Sequence, residues 1–94
     1  MTGEYAVATA HKILQQHGVT GWRIVLVDVF PDHPKRFGLC STRNRTITLA
    51  ERWLADDREA LETVYHEVAH ALTPGDFDHG SRWNATFRRI AYGL

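Results

Sequence analysis

The chain has 94 residues, 44% of them hydrophobic, and its eleven basic and eleven acidic side chains cancel. This length predicts a single domain over residues 1–94, and the apolar fraction argues against disorder. The charge balance gives no support for wholesale binding to nucleic acid or to a membrane. A lone cysteine, Cys40, excludes an intrachain disulfide. Together with the lack of a signal-peptide pattern at the N-terminus, it favours a cytoplasmic protein.

The first third of the chain predicts one helix and one strand. An apolar stripe with helical spacing predicts a helix over residues 2–17, and Gly18 is placed to end it. The β-branched segment 22–30 predicts a strand. The two prolines within residues 31–34 cannot continue a strand, because proline lacks the backbone donor of a ladder bond.

The middle of the chain predicts a hairpin. Two short strands are expected at residues 36–41 and 45–50, with Asn44 suited to a left-handed turn position between them. Residues 51–54 are expected to form a short helical turn or a loop.

Two helices are expected in the last part of the chain. Asp56 begins the first, with Glu59 completing a capping-box pattern, and Pro74-Gly75 stops it at about Leu72. The second begins at about Ser81. The order of elements predicts an α+β fold with an N-terminal helix, a small three-stranded and mainly antiparallel sheet, and two further helices.

Residues 66–70 read His-Glu-Val-Ala-His on the first of these two helices. Histidines four residues apart differ by about 40° in direction and one turn in height, so His66 and His70 can reach one ion. Glu67 lies about 100° round from His66, near enough to touch a water on that ion. Apolar residues are expected on the opposite side of the helix: Leu61, Val64, Val68 and Leu72. The pattern indicates a zinc hydrolase.

His79 is the candidate third ligand, because a catalytic zinc ion commonly takes three protein ligands and leaves a fourth position for water. Pro74-Gly75 allows the chain to turn back over the helix. Asp76 and Asp78 are rival oxygen ligands, of which Asp78 is the stronger, and either residue is alternatively an acceptor that orients an imidazole.

Three segments resemble the SprT-like zinc metallopeptidases, the family that includes the Spartan proteases. RFGLCSTRNRTITLAERWL, residues 36–54, resembles the family's hairpin and the segment that enters the active-site helix. LETVYHEVAHAL, residues 61–72, resembles that helix. DHGSRWNATFRRI, residues 78–90, resembles the family's His-Gly-x-x-aromatic helix start, with Trp83 as the aromatic residue.

The resemblance implies a minimal zincin-like metalloprotease core with one Zn²⁺ ion held by His66, His70 and His79. It implies that Glu67 is catalytic. No cysteine-rich zinc ribbon and no DNA-binding tail follow in this sequence, so the similarity is to the catalytic core alone.

We therefore expect peptide-bond hydrolysis in a protein or peptide substrate by a metal-activated water, with Glu67 as general base. A strand edge beside the cleft is expected to bind the substrate. The second oxyanion donor is left open among four residues: Tyr65, Arg82, Arg88 and Tyr92.

Two alternatives to the enzyme are considered. One is a non-catalytic module stabilised by zinc, with Asp78 as a fourth ligand and with basic hairpin residues near nucleic acid or an acidic partner. That basic charge lies in residues 35–52, where five cationic side chains accompany the single acid Glu51. The other alternative is a helical interaction protein without metal.

Overall fold

A computed structural model of the chain describes residues 1–76 and 78–93, and it confirms the α+β fold class. The elements in chain order are α1 (Gly3–Gln16), β1 (Arg23–Val27), β2 (Gly38–Ser41), β3 (Thr46–Ala50), a 3₁₀ turn (Glu51–Trp53), α2 (Asp57–Leu72) and α3 (Ser81–Tyr92). Within the described residues, no helix is long and apolar enough to cross a membrane.

The predicted starts of the first two helices are confirmed, and each has a side-chain cap. The backbone N–H of Tyr5 donates to the hydroxyl of Thr2 at 3.1 Å, and that of Glu59 donates to the carboxylate of Asp56 at 3.0 Å. Each bond satisfies a donor that the first turn of a helix leaves without an intrahelical partner. Gly18 follows α1 with a φ of 70°, the left-handed conformation that commonly ends a helix.

The three strands form one sheet in the order β1-β3-β2, and the sheet is mixed. β2 pairs with β3 in the antiparallel direction, as the hairpin prediction required. β1 pairs with β3 in parallel, so only one of the two pairings agrees with a mainly antiparallel sheet. The reason is that residues 28–37 carry the chain across to the far edge, and the hairpin then returns β3 to the middle.

Two local predictions in this region need correction. The first strand ends at Val27 rather than at residue 30, because β3, its strand partner among the described residues, ends at the facing residue Ala50. The left-handed turn residue is Arg45, with a φ of 50°, and not Asn44. The turn is one residue longer than predicted, and the backbone N–H of Asn44 donates to the hydroxyl of Ser41 at 3.2 Å.

The core lies between the sheet and helices α1 and α2. α1 packs against β1 and α2 against β2, while the two helices contact each other and α3 packs on α2. Ile47 and Leu49 of the central strand are fully buried, as expected for alternate residues that face one side of a sheet. Ala6 and Ala10 are also fully buried, and their small side chains permit the close approach of α1.

The predicted apolar side of α2 is partly confirmed. Val64 and Val68 are fully buried, whereas Leu61 and Leu72 are only half-buried. Ala60 occupies a core position as well. The buried surface is wider than one stripe because α2 contacts α1, the sheet and α3 at once. This broad contact fixes the direction in which the remaining face of α2 points.

Candidate metal centre

The three predicted histidines meet at one point. The Nε2 atoms of His70 and His79 are 3.0 Å apart, and those of His79 and His66 are 3.2 Å apart. Two nitrogen ligands of a tetrahedral zinc ion, each about 2.0–2.1 Å from the metal, lie about 3.3 Å from each other. The spacing therefore fits three imidazoles that share one ion. Among the described residues, these three histidines form the group that could hold a metal ion, and neither Asp76 nor Asp78 belongs to it.

The surroundings favour the neutral form of the imidazoles of His66 and His70. Burial, assisted by the neighbouring His70 and His79, lowers the pKa of His66 to about 4. Burial also lowers the pKa of His70, and the proximity of His79 acts in the same direction. A neutral imidazole has the free nitrogen lone pair that a metal ion needs.

Trp83 forms the platform beneath the cluster. Its ring centroid lies 4.4 Å from that of His79, 4.8 Å from that of His66 and 5.5 Å from that of His70. Its indole N–H donates to the backbone oxygen of His66 at 3.3 Å. Phe87 stacks behind it at 5.1 Å, nearly parallel. The aromatic residue that the sequence placed four positions after His79 thus restricts the rotation of all three imidazoles.

The segment between α2 and α3 returns the chain to the cluster, as Pro74-Gly75 predicted. Gly75 has a φ of 92° and His79 a φ of 55°. The second value is uncommon for a residue with a side chain. The side-chain amide of Asn84 donates to the backbone oxygen of His79 at 2.6 Å and helps to hold this conformation.

Neither aspartate belongs to the ligand group of the described residues, and Asp76 instead makes hydrogen bonds beside the site. Both carboxylate oxygens of Asp76 accept backbone N–H groups at the start of α3, from Gly80 and from Trp83, each at 2.9 Å. Asp78 is exposed and lies outside the ligand group. The sequence alone did not separate them because both lie within three residues of His79.

Glu67 lies between α2 and β2 with only 6% of its surface exposed. Burial raises its pKa to about 7, and the nearby Arg36 opposes that rise. Gly38 on β2 makes room for the side chain: a Cβ atom there would lie 3.0 Å from the Cγ atom and 3.1 Å from the Oε2 atom of Glu67. The sequence predicted a carboxylate facing a cleft; the structure adds that it is nearly enclosed.

Glu67 and His66 line two adjoining cavities that form one cleft along β2. The first has a volume of about 430 Å³ and is bordered by hairpin residues together with the histidine cluster. The second, of about 330 Å³, is bordered by Phe37 and by side chains from the first half of α2. Gly38 borders both, so the cleft passes over the carboxylate of Glu67.

The expected second donors do not line the cleft. Tyr65 and Arg89 border a separate cavity between α1 and α3, and Tyr92 is 64% exposed. Among the described residues, the lining of the cleft includes neither these tyrosines nor Arg82 or Arg88. The cation that does line it is Arg36. Sequence reasoning grouped Arg36 with the basic hairpin and placed it at the start of the predicted strand 36–41, whereas the observed β2 begins two residues later, at Gly38.

The fold and the site together define an α+β domain of the His-Glu-x-x-His class, with a third histidine downstream and the carboxylate beside the cluster. The family model described as SprT-like matches residues 8–93. The chain therefore belongs to the SprT-like family, which confirms the resemblance seen in its motifs. Comparison with curated proteins and with solved structures found no match.

Proposed function

We propose that the protein is a zinc-dependent metallopeptidase in which His66, His70 and His79 hold one zinc ion and Glu67 is the general base. The observation that carries this proposal is the convergence of three imidazole Nε2 atoms beside a buried carboxylate in an open cleft. When bound, zinc supplies an acidified water and a Lewis acid for the scissile carbonyl.

The side chains of the chain itself have distinct tasks. Within the described residues Glu67 makes no ion pair and its carboxylate borders both cavities, so it is free to accept a proton and return it to the leaving amine. Trp83 holds the imidazoles in orientation. Arg36, at the wall of the cleft, is the cation best placed to attract negative charge on the substrate.

A peptide substrate fits the cleft because β2 is an edge strand. It pairs with β3 on one side, and Gly38, Leu39 and Cys40 border the cavity that holds the histidines. An extended peptide can pair with such a strand edge through its backbone. The edge that the sequence left unassigned is therefore proposed to be the free edge of β2.

Replacement of Glu67 by glutamine tests the mechanism. We expect the zinc-loaded Glu67→Gln protein to keep one zinc ion per chain and to hydrolyse an unfolded protein substrate at least about 100-fold more slowly than the parent. Glu4 carries an exposed carboxylate on α1, so Glu4→Gln is the matched control and should retain the parental rate. Hydrolysis by Glu67→Gln at the parental rate would show that Glu67 is not the general base.

A second candidate function is a non-catalytic zinc module near nucleic acid. The observation that favours it is the exposure of Lys35, Arg43 and Arg45 in and beside the hairpin. Phosphate contacts by these residues would give binding that weakens steeply with salt. A parent protein that binds one zinc ion and a DNA duplex but hydrolyses no unfolded protein would favour this function over the peptidase.

A further inference from the structure

We propose that Asp76 is the positioning residue of the candidate metal centre: its carboxylate holds the segment that presents His79 and thereby sets the affinity for the metal. The inference deepens the proposed function and rests on the metal-binding part of it. Asp76 bonds to Gly80 and Trp83, so its positioning effect passes through His79, and its charge acts in addition on His70.

The carboxylate of Asp76 joins the loop to the start of α3. Its Oδ1 atom accepts the N–H of Gly80, and its Oδ2 atom accepts the N–H of Trp83. These donors belong to the cap and the first turn of α3, which lack partners inside the helix and carry partial positive charge. The bond from Trp83 is the main reason why the pKa of Asp76 lies below its usual value, so the carboxylate stays charged at neutral pH.

Glycine at residue 80 leaves the space that the carboxylate of Asp76 occupies. A Cβ atom there would collide with the Oδ1 atom of Asp76 and lie 3.0 Å from its Oδ2 atom. The backbone angles of Gly80 are ordinary for any residue, with a φ of −72°. Glycine is therefore useful here for the space that it leaves beside the carboxylate and not for its backbone freedom. Gly80 and Asp76 are described below as one unit.

His79 lies between the two ends of this unit. The residue after it is bonded to Asp76, Trp83 lies under its imidazole, and Asn84 bonds its backbone oxygen. Its backbone is left-handed, which is unfavourable for histidine unless the surroundings enforce it. Loss of the bonds to Asp76 lets the backbone of His79 relax, and its imidazole then leaves the cluster formed with His66 and His70.

Asp78 offers a matched control for Asp76. It has the same side chain and is closer to His79 in sequence, but it is exposed and lies outside the ligand group. Asp76→Asn and Asp78→Asn each remove one negative charge from the segment, but the charge of Asp76 also acts on His70. Asp78→Asn therefore controls for the loss of an aspartate beside His79. Gly80→Ala, which keeps the charge of Asp76, separates the positioning of His79 from an electrostatic effect.

The experiment measures the zinc affinity of the full chain by competition with a chromophoric chelator. We expect Asp76→Asn to bind zinc about 10- to 100-fold more weakly than the parent, as for other residues that support a metal ligand, and Asp78→Asn to stay within about twofold. The visible spectrum of the Co²⁺-loaded protein should change in Asp76→Asn alone, because a lost imidazole alters the coordination. A role limited to stability would lower the melting temperature and leave both the spectrum and the affinity of the folded protein unchanged.

Gly80→Ala repeats the test with the carboxylate intact. The added methyl group displaces Asp76, so we expect weaker zinc binding here too, and this variant decides the question if Asp76→Asn does not fold. Parental affinity in either folded variant overturns the proposal. If the parent binds zinc but hydrolyses nothing, the proposed peptidase function is wrong, and the zinc affinities of the variants still test the role of Asp76. If the parent binds no zinc, both proposals are wrong.

Discussion

The candidate metal centre has a helical part, His66 and His70 on α2, and a loop part, His79 in the segment before α3. The two parts are held in place by different interactions. α2 presents His66 and His70 one helical turn apart, and its direction is fixed by Val64 and Val68 in the core. Residues 73–76 and 78–80 present His79 from irregular backbone that is held by hydrogen bonds and includes a left-handed histidine. The direction of the helical part thus follows from core packing that the fold requires with or without the site. The loop part depends on hydrogen bonds to the start of α3 and holds His79 in a left-handed backbone conformation that is uncommon for histidine.

The largest expected effect is the loss of a ligand from the helical part. We predict that His66→Ala loses at least about 100-fold in zinc affinity, because two imidazoles remain where a catalytic zinc ion takes three protein ligands. Chelator competition measures the change, and circular dichroism checks that the helices persist. His33→Ala, in an exposed turn, is the control. Unchanged affinity in His66→Ala would place the metal elsewhere.

A core substitution beneath the same helix should act on stability instead. Val68 is fully buried, and Val68→Ala removes buried methyl groups and leaves a cavity. We predict that the free energy of unfolding of the chelator-treated protein falls by about 2 kcal/mol. Urea denaturation measures it. A loss below about 0.5 kcal/mol would contradict the view that packing against the core anchors the helical part.

A smaller effect is expected where Glu67 meets the sheet. In Gly38→Ala, the new Cβ atom would press on Glu67 and on Thr63, each about 3.0–3.1 Å away. We predict that the displaced carboxylate lowers the rate of hydrolysis by about tenfold, since small misplacements of catalytic groups cost rate. Zinc affinity, measured on the same sample, should stay at the parental value. Equal rates in the two proteins would show that Glu67 tolerates the displacement.

The smallest expected effect concerns the thiol on β2. Burial, with a smaller contribution from the charge of Glu67, raises the pKa of Cys40 to about 12. Alkylation requires the thiolate, so at pH 8 iodoacetamide should modify Cys40 roughly tenfold or more slowly than in the urea-unfolded chain. Loss of the negative charge in Glu67→Gln lowers the pKa of the thiol and should speed the reaction. Equal rates in folded Glu67→Gln and parent would contradict the placement of Glu67 beside β2.

The helical part was largely predictable from sequence, and so was the return of His79 to the cluster, but the hydrogen bonds that hold the loop part were not. Periodicity and capping residues are local signals, and they predicted α2 from Asp56 to Leu72 and the direction of His66 and His70. The parallel pairing of β1 with β3 depends on where the chain crosses the sheet, which no local pattern records.

Two further details of the site were not predicted from the sequence. The bonds of Asp76 depend on the approach of the loop to the start of α3, and the burial of Glu67 depends on Gly38 in a neighbouring strand. Asp78 was preferred to Asp76 as an oxygen ligand, and the ligand group among the described residues includes neither of them. The partners of Asp76 lie four and seven residues along the chain, whereas the contact of Glu67 with Gly38 joins distant segments.

X-ray absorption fine structure at the zinc edge tests most directly whether the loop completes the site. The zinc-loaded parent should show three imidazole nitrogens at about 2.0–2.1 Å, and His79→Gly, which removes the side chain at a position where glycine is unstrained, should show two. A parent spectrum with two imidazoles, or identical spectra for parent and variant, would contradict the assignment of His79 as the third ligand.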